Sequence, residues 1–145
     1  QLVSRSKTIG GWSDYYSPSD SINVGTWNSD AIISSDGNAL IYASKRESNK
    51  DVFENYAESQ SYATHYPTDI YISFKNENGD WSYGMSLGDS INTRFSDRSP
   101  FLHPDMKTLY FSSTGHGGLG GYDVFVSRRL ADTCWDCWSK VILSR

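Results

Sequence analysis

The chain repeats itself, and this limits its possible folds more than any other property. Displaced by 69 positions, Trp12-Ser13 falls on Trp81-Ser82 and Asp20-Ser21-Ile22-Asn23 on Asp89-Ser90-Ile91-Asn92. Asp36 falls on Asp105, Leu40 on Leu109 and Ser44 on Ser113. Residues 12–44 and 81–113 align without a gap, with 10 of 33 positions identical. The offset then drops to 54, where DIYIS (69–73) matches DVFVS (123–127). Between these blocks the first copy has the long connection 45–68, and the second has TGHGGLGGY (114–122). Trp138-Ser139 opens a third, truncated copy, and LVSR (2–5) is similar to FVSR (125–128), the tail of a copy without its beginning. Self-similarity at about 55 to 70 residues is the mark of a repeat architecture.

Each repeat holds several short strands and no long apolar stripe of helical period. In the second copy the pattern predicts strands over 99–103, 108–113, 122–128 and 138–143. PDMK (104–107) and SDGN (35–38) are the tight turns between the first two strands of each copy, with Asp105 and Asp36 capping their own backbone. Aromatic residues, 14% of the chain, favour strands. Both faces of TLYF and DVFV are apolar, as sheets covered on both sides require. The expectation is an all-β chain of β-propeller blades, each a four-stranded antiparallel sheet. Residues 1–28 would end a preceding blade, 29–97 form a full blade carrying the insertion 45–68, and 98–145 form the second blade. Two full blades with partial flanking blades are too few for a ring. The remaining blades are expected from the rest of a larger propeller or from self-association.

The stretch SPFLHPDMKTLYFSSTGHGGLGGYDVFVSRR (99–129), with SLGDSINT (86–93) before it, resembles the TolB-type WD40-like propeller repeat. The variant it is similar to occurs in OmpA-family and type IX secretion-associated envelope proteins of Bacteroidota. The resemblance covers residues 12–143. It is weaker in the first copy, where 45–68 replaces the Gly-rich connection, and Met106 stands where that family prefers Gly. It implies a periplasmic or outer-membrane-associated protein with a non-enzymatic scaffolding or binding role. It implies an envelope protein or a peptidoglycan glycan as partner, and names no ligand. The alternative is a segment of a propeller enzyme, or of the carbohydrate-binding accessory domain of a glycosidase or peptidase.

The remaining residues bear on function class. Net charge is −4 and the basic residues are scattered, which argues against a nucleic-acid partner. No apolar run is long enough to span a membrane as a helix. TGHGGLGGY lacks the Lys and hydroxyl of a phosphate-binding loop and is followed by a strand, so it is expected to be a wide turn with glycines at positive φ. No nucleophile elbow or metal-ligand spacing occurs, so no catalytic residue, metal or cofactor is assigned. The C-x-x-C pair Cys134 and Cys137 can be redox-active, half a zinc site or a local disulfide, and in an exported protein the local disulfide is expected. Trp12, Trp81 and Trp138 recur at one repeat position and are expected to open fourth strands. Asp69 and Asp123 open third strands, as a cap, a salt bridge or a repeated buried anchor. His103 is expected in the core and His65 in solvent. Binding is expected where the long connections emerge, at His116, Asn92, Tyr56, Tyr62 and Tyr66. Trp27 and Trp135, which do not recur, are expected at the surface.

Overall fold

The computed structural model describes residues 1–46 and 67–144. Strands β3 (Trp27–Ile33), β4 (Ala39–Lys45), β5 (Asp69–Phe74) and β6 (Met85–Ser86) make one four-stranded antiparallel meander, after the short pair β1 (Lys7–Thr8) and β2 (Gly11–Trp12). Strands β7 (Asp97–Leu102), β8 (Thr108–Ser113), β9 (Asp123–Arg128) and β10 (Ile142–Leu143) make a second. The described residues contain no helix. The fourth strand of the second copy is shorter than 138–143: it is a bridge from Trp138 to Arg129, followed by β10.

The sequence offsets carry directly into the ladders. The displacement of 69 places the register shift between Ser29 and Ile32 on that between Arg98 and Phe101. Within these bulges Asp30 (φ 53°) and Ser99 (φ 51°) take the same left-handed conformation. At the outer strands Trp12, Trp81 and Trp138 pair with Lys7, Lys75 and Arg129. Farther along, Tyr16, Met85 and Ile142 pair with Ser4, Ile72 and Val126. Residues 2–16 are therefore laid out as the outer half of another such sheet. The serine after each tryptophan explains the WS pair. Ser13, Ser82 and Ser139 donate their N–H to the carbonyls of Ser6, Phe74 and Arg128 at 2.9, 2.8 and 2.9 Å. Each accepts the N–H of the same residue on its Oγ, at 2.9, 3.0 and 3.0 Å.

Period-two alternation divides the two faces of the first sheet. Ala39, Ile41, Ile70 and Ile72 pack on Leu102, Leu109, Phe111 and Phe125 of the second sheet, with Leu87, Ile91 and Trp138 closing this core. Leu40, Tyr42 and Tyr71, on the opposite face, enclose Ile22 and meet Leu2 and Trp81. By the offsets, Leu40, Tyr42 and Tyr71 are the counterparts of Leu109, Phe111 and Phe125. Each unit thus turns the same face toward the unit before it, so the packing is head to tail. Each fully buried large side chain contributes about 1.5–3 kcal/mol.

The tight turns match their sequence reading. Asp36 accepts the N–H of Asn38 at 3.1 Å, and Asp105 those of Lys107 and Thr108 at 2.8 Å each. Gly37 has φ 76° and Met106, at the matching position, φ 59°. A Cβ on Gly37 would touch nothing, so Gly37→Ala isolates the conformational cost. It should lower stability by about 1 kcal/mol in urea unfolding. An unchanged midpoint would show that the turn relaxes to negative φ without loss.

Candidate functional site

At one end of the two sheets β3, β5, β7 and β9 begin while β4 and β8 leave. Asp97, the first residue of β7, is fully buried. Its N–H donates to the Thr68 carbonyl at 2.7 Å, which ties it to the strand before. Its carboxylate accepts from the Thr93 hydroxyl at 3.0 Å and from the Thr93 N–H. Burial pushes the Asp97 carboxyl up, against the hydrogen bonds of Ser113 and Thr93 and the charge of His116. In the first copy the matching residue is Asn28, also buried, which accepts from Ser44 Oγ at 2.7 Å. A neutral amide therefore meets the structural need of this position, and the ionisable carboxyl of Asp97 is additional to it.

Asp69, the first residue of β5, is pushed up to about 7, first by burial, then by the like charge of Asp97, with Asp89 adding and Arg46 opposing. Among the described residues, one of its carboxyl oxygens and the hydroxyl of Thr68 are buried without a hydrogen-bond partner. The Arg46 guanidinium lies over the Tyr71 ring at 3.8 Å and donates to the Gly84 carbonyl at 3.1 Å and the Tyr42 hydroxyl at 2.8 Å. Chemically, this end holds a carboxyl that is half protonated near neutral pH, a second buried carboxylate and a fixed cation.

Half-buried at the same end, Trp27 has Lys45 Nζ at 5.9 Å and the Arg98 guanidinium at 5.5 Å from its ring. Arg98 also lies 5.7 Å from the ring of Tyr122, which is half exposed. His116 and Asn92 sit here too, but Nε2 of His116 and the side-chain amide of Asn92 are engaged. His116 Nε2 is 2.8 Å from the Ile91 carbonyl, and its ring lies 5.6 Å from Phe111 and 5.4 Å from Phe125. Asn92 accepts the Ile70 N–H at 2.7 Å and donates to the Ile70 carbonyl and Ser86 Oγ, each at 2.9 Å. Asn23 does the same to Leu2, at 2.7 and 3.0 Å. The repeated SIN is thus a buried plug, Ile22 or Ile91, followed by an amide that clamps the neighbouring third strand. Tyr56, Tyr62, Tyr66 and His65 lie outside the described residues.

Several expectations change. His103 is exposed, because β7 ends at Leu102, and its Nδ1 accepts the Asp105 N–H at 3.2 Å inside the turn. Trp135 is half-buried, packed on Phe74 at 5.5 Å beneath the Arg129 guanidinium at 3.8 Å. Trp138 is buried and donates Nε1–H to the Trp135 carbonyl at 2.8 Å, whereas Trp12 is exposed and Trp81 half-buried. Cys134 and Cys137 form a disulfide with Cα atoms 5.4 Å apart. In the Gly-rich turn only Gly117 has positive φ. Gly115 and Gly118 serve close approach instead: a Cβ would overlap Thr93 and the carboxylate of Asp123, which accepts the Leu119 N–H at 2.8 Å. Gly118→Ala should cost about 1 kcal/mol by displacing that cap and should speed amide exchange at Leu119. Unchanged exchange there would show that Asp123 does not hold the loop.

Residue 97 carries a signal that the sequence reading did not use. Asp97 aligns with an asparagine, so the buried charge differs between copies that are otherwise alike. Comparison of the chain with protein-family models, curated proteins and solved structures found no match.

Proposed function

We infer that the chain supplies two blades of a β-propeller that serves as a non-enzymatic binding scaffold. The reading rests on one observation: two like sheets meet head to tail, each using the same face toward the unit before it. Contacts of this kind run on or close into a ring. The contact face is the end where β3, β5, β7 and β9 begin, with Trp27, Arg98 and Tyr122 on its surface. Aromatic and arginine side chains on loops held by a rigid scaffold suit recognition. The sequence resemblance supports a cell-envelope setting, with an envelope protein or peptidoglycan as partner.

The test compares the wild-type chain with Trp27→Ala/Tyr122→Ala and with Glu77→Ala at the far end of the sheets. Co-sedimentation with peptidoglycan and cross-linking to envelope extracts should fall at least fivefold for the double variant alone. Equal capture by all three proteins would reject this face. The propeller-enzyme reading draws on Asp69, since a carboxyl held near neutrality beside another is a feature of acid–base sites. It requires glycan or peptide hydrolysis that Asp69→Asn abolishes.

A further inference from the structure

We propose that residues 2–8 are the docking edge for a β-hairpin that has the apolar alternation of this chain's own first two repeat strands, and that this hairpin completes a third four-stranded sheet. The inference needs only the repeat, not a closed ring.

The placement follows from equivalent positions. Asn23 clamps Leu2 as Asn92 clamps Ile70, and Ser4 bridges Tyr16 as Ile72 pairs Met85, so residues 2–7 occupy the place of 70–75. In the first sheet the inner side of that strand is taken by β4, with Tyr42 opposite Tyr71 and Leu40 opposite Ser73. Beside residues 2–8 no strand takes that role, and the backbone N–H and C=O groups of Val3 and Arg5 bond to nothing among the described residues. An extended edge with free backbone groups accepts a further strand.

Exposure of matched residues marks the same absence. Ile33 is 62% exposed, while its counterpart Leu102 is 5% exposed under the first sheet. Val3 is 58% exposed, while its counterpart Tyr71, beside β4, is 5% exposed. Between them lies a cleft of about 320 Å³ lined by Leu2, Val3, Ala31, Ile33, Leu40 and Trp81. The contact between the two complete sheets specifies what fills it: a hairpin with apolar residues at the places of Ile32 and Ile41, second strand antiparallel to residues 2–7. A second copy of this chain does not offer one, because its β3–β4 and β7–β8 hairpins are already built into complete sheets.

A synthetic peptide of residues 27–45 supplies the hairpin in trans to the full chain. Its addition should slow amide exchange at Val3 and Arg5 at least tenfold. Ile33→Asp, at a side chain already in solvent, should weaken binding at least tenfold without altering the fold. A second form places residues 97–122 directly before Gln1, using the short TGHGGLGGY connection to join the added second strand to residues 2–8. The same amides should be protected in that graft, and the protection lost with Ile33→Asp. Exchange at Val3 and Arg5 that is unchanged in the graft, or a gain indifferent to Ile33→Asp, would overturn the proposal. So would protection of these amides in the unmodified chain that rises with its own concentration, since the occupant would then be a second copy.

Discussion

Asn92→Ala should lower stability by about 2 kcal/mol, more than most single substitutions of a polar residue in this chain. The amide receives the Ile70 N–H at 2.7 Å and gives hydrogen bonds to the Ile70 carbonyl and to Ser86 Oγ. The Ile70 carbonyl keeps a second donor, the Leu87 N–H at 3.1 Å, so its loss is partial. The Ile70 N–H loses this acceptor beside a fully buried side chain. A buried donor left unpaired costs about 1–3 kcal/mol. Asn92→Asp keeps the acceptor but sets a negative charge against the Ile70 carbonyl, and should fall between alanine and wild type at neutral pH. Asn23→Ala should cost less, about 1 kcal/mol, because Leu2 is only partly buried. Chemical unfolding measures all three. A loss below about 0.5 kcal/mol for Asn92→Ala would show that water replaces the clamp at no cost.

Asp69→Asn should raise stability at pH 8 by about 2 kcal/mol and flatten its dependence on pH. The folded pKa of Asp69, about 7, lies above the value near 4 of the unfolded chain, so the fold favours the protonated form. That contribution is complete below pH 4 and is lost as pH rises through 7, where the folded state ionises. Three pKa units correspond to about 4 kcal/mol, and partial access to water reduces this to about half. Asp97 is raised by burial too and adds a slope of the same sign. Asp36 is lowered by its turn hydrogen bonds and acts oppositely, losing its contribution as the medium turns more acidic than its unfolded pKa. Unfolding free energies at pH 5 and pH 8 should therefore converge in Asp69→Asn relative to wild type. A variant less stable than wild type at pH 8 would mean that the ionised carboxylate is held by a favourable partner.

Much of the fold was legible because the repeat preserves backbone-determining residues. The offsets of 69 and 54 placed β4 against β8 and β5 against β9, and the turn aspartates marked where the hairpins close. The bulges at Asp30 and Ser99 were not legible, since their side chains have no common chemistry and only the backbone agrees. The reading of Asn92 as a contact residue missed an argument that had been applied to the tryptophans. Asn23 and Asn92 recur at one repeat position, and the recurrence reflects a clamp that every unit needs. Within the candidate site the converse holds. Asn28 and Asp97 differ in chemistry while sharing a buried location opposite a cross-strand serine, Ser44 or Ser113. That difference becomes meaningful only once both positions are known to be buried.

The bulge in the first strand of each sheet also ties one sheet to the other. Asp30 Oδ2 receives the Arg98 guanidinium at 3.0 Å and the Ser99 N–H and hydroxyl at 3.1 Å each. The kink of one sheet is thus bolted to the kink of the next by a single carboxylate. On the second sheet the corresponding residue is Ser99, whose short neutral side chain is already turned back to Asp30. The two sheets are therefore joined through their bulges as well as through the apolar core between them.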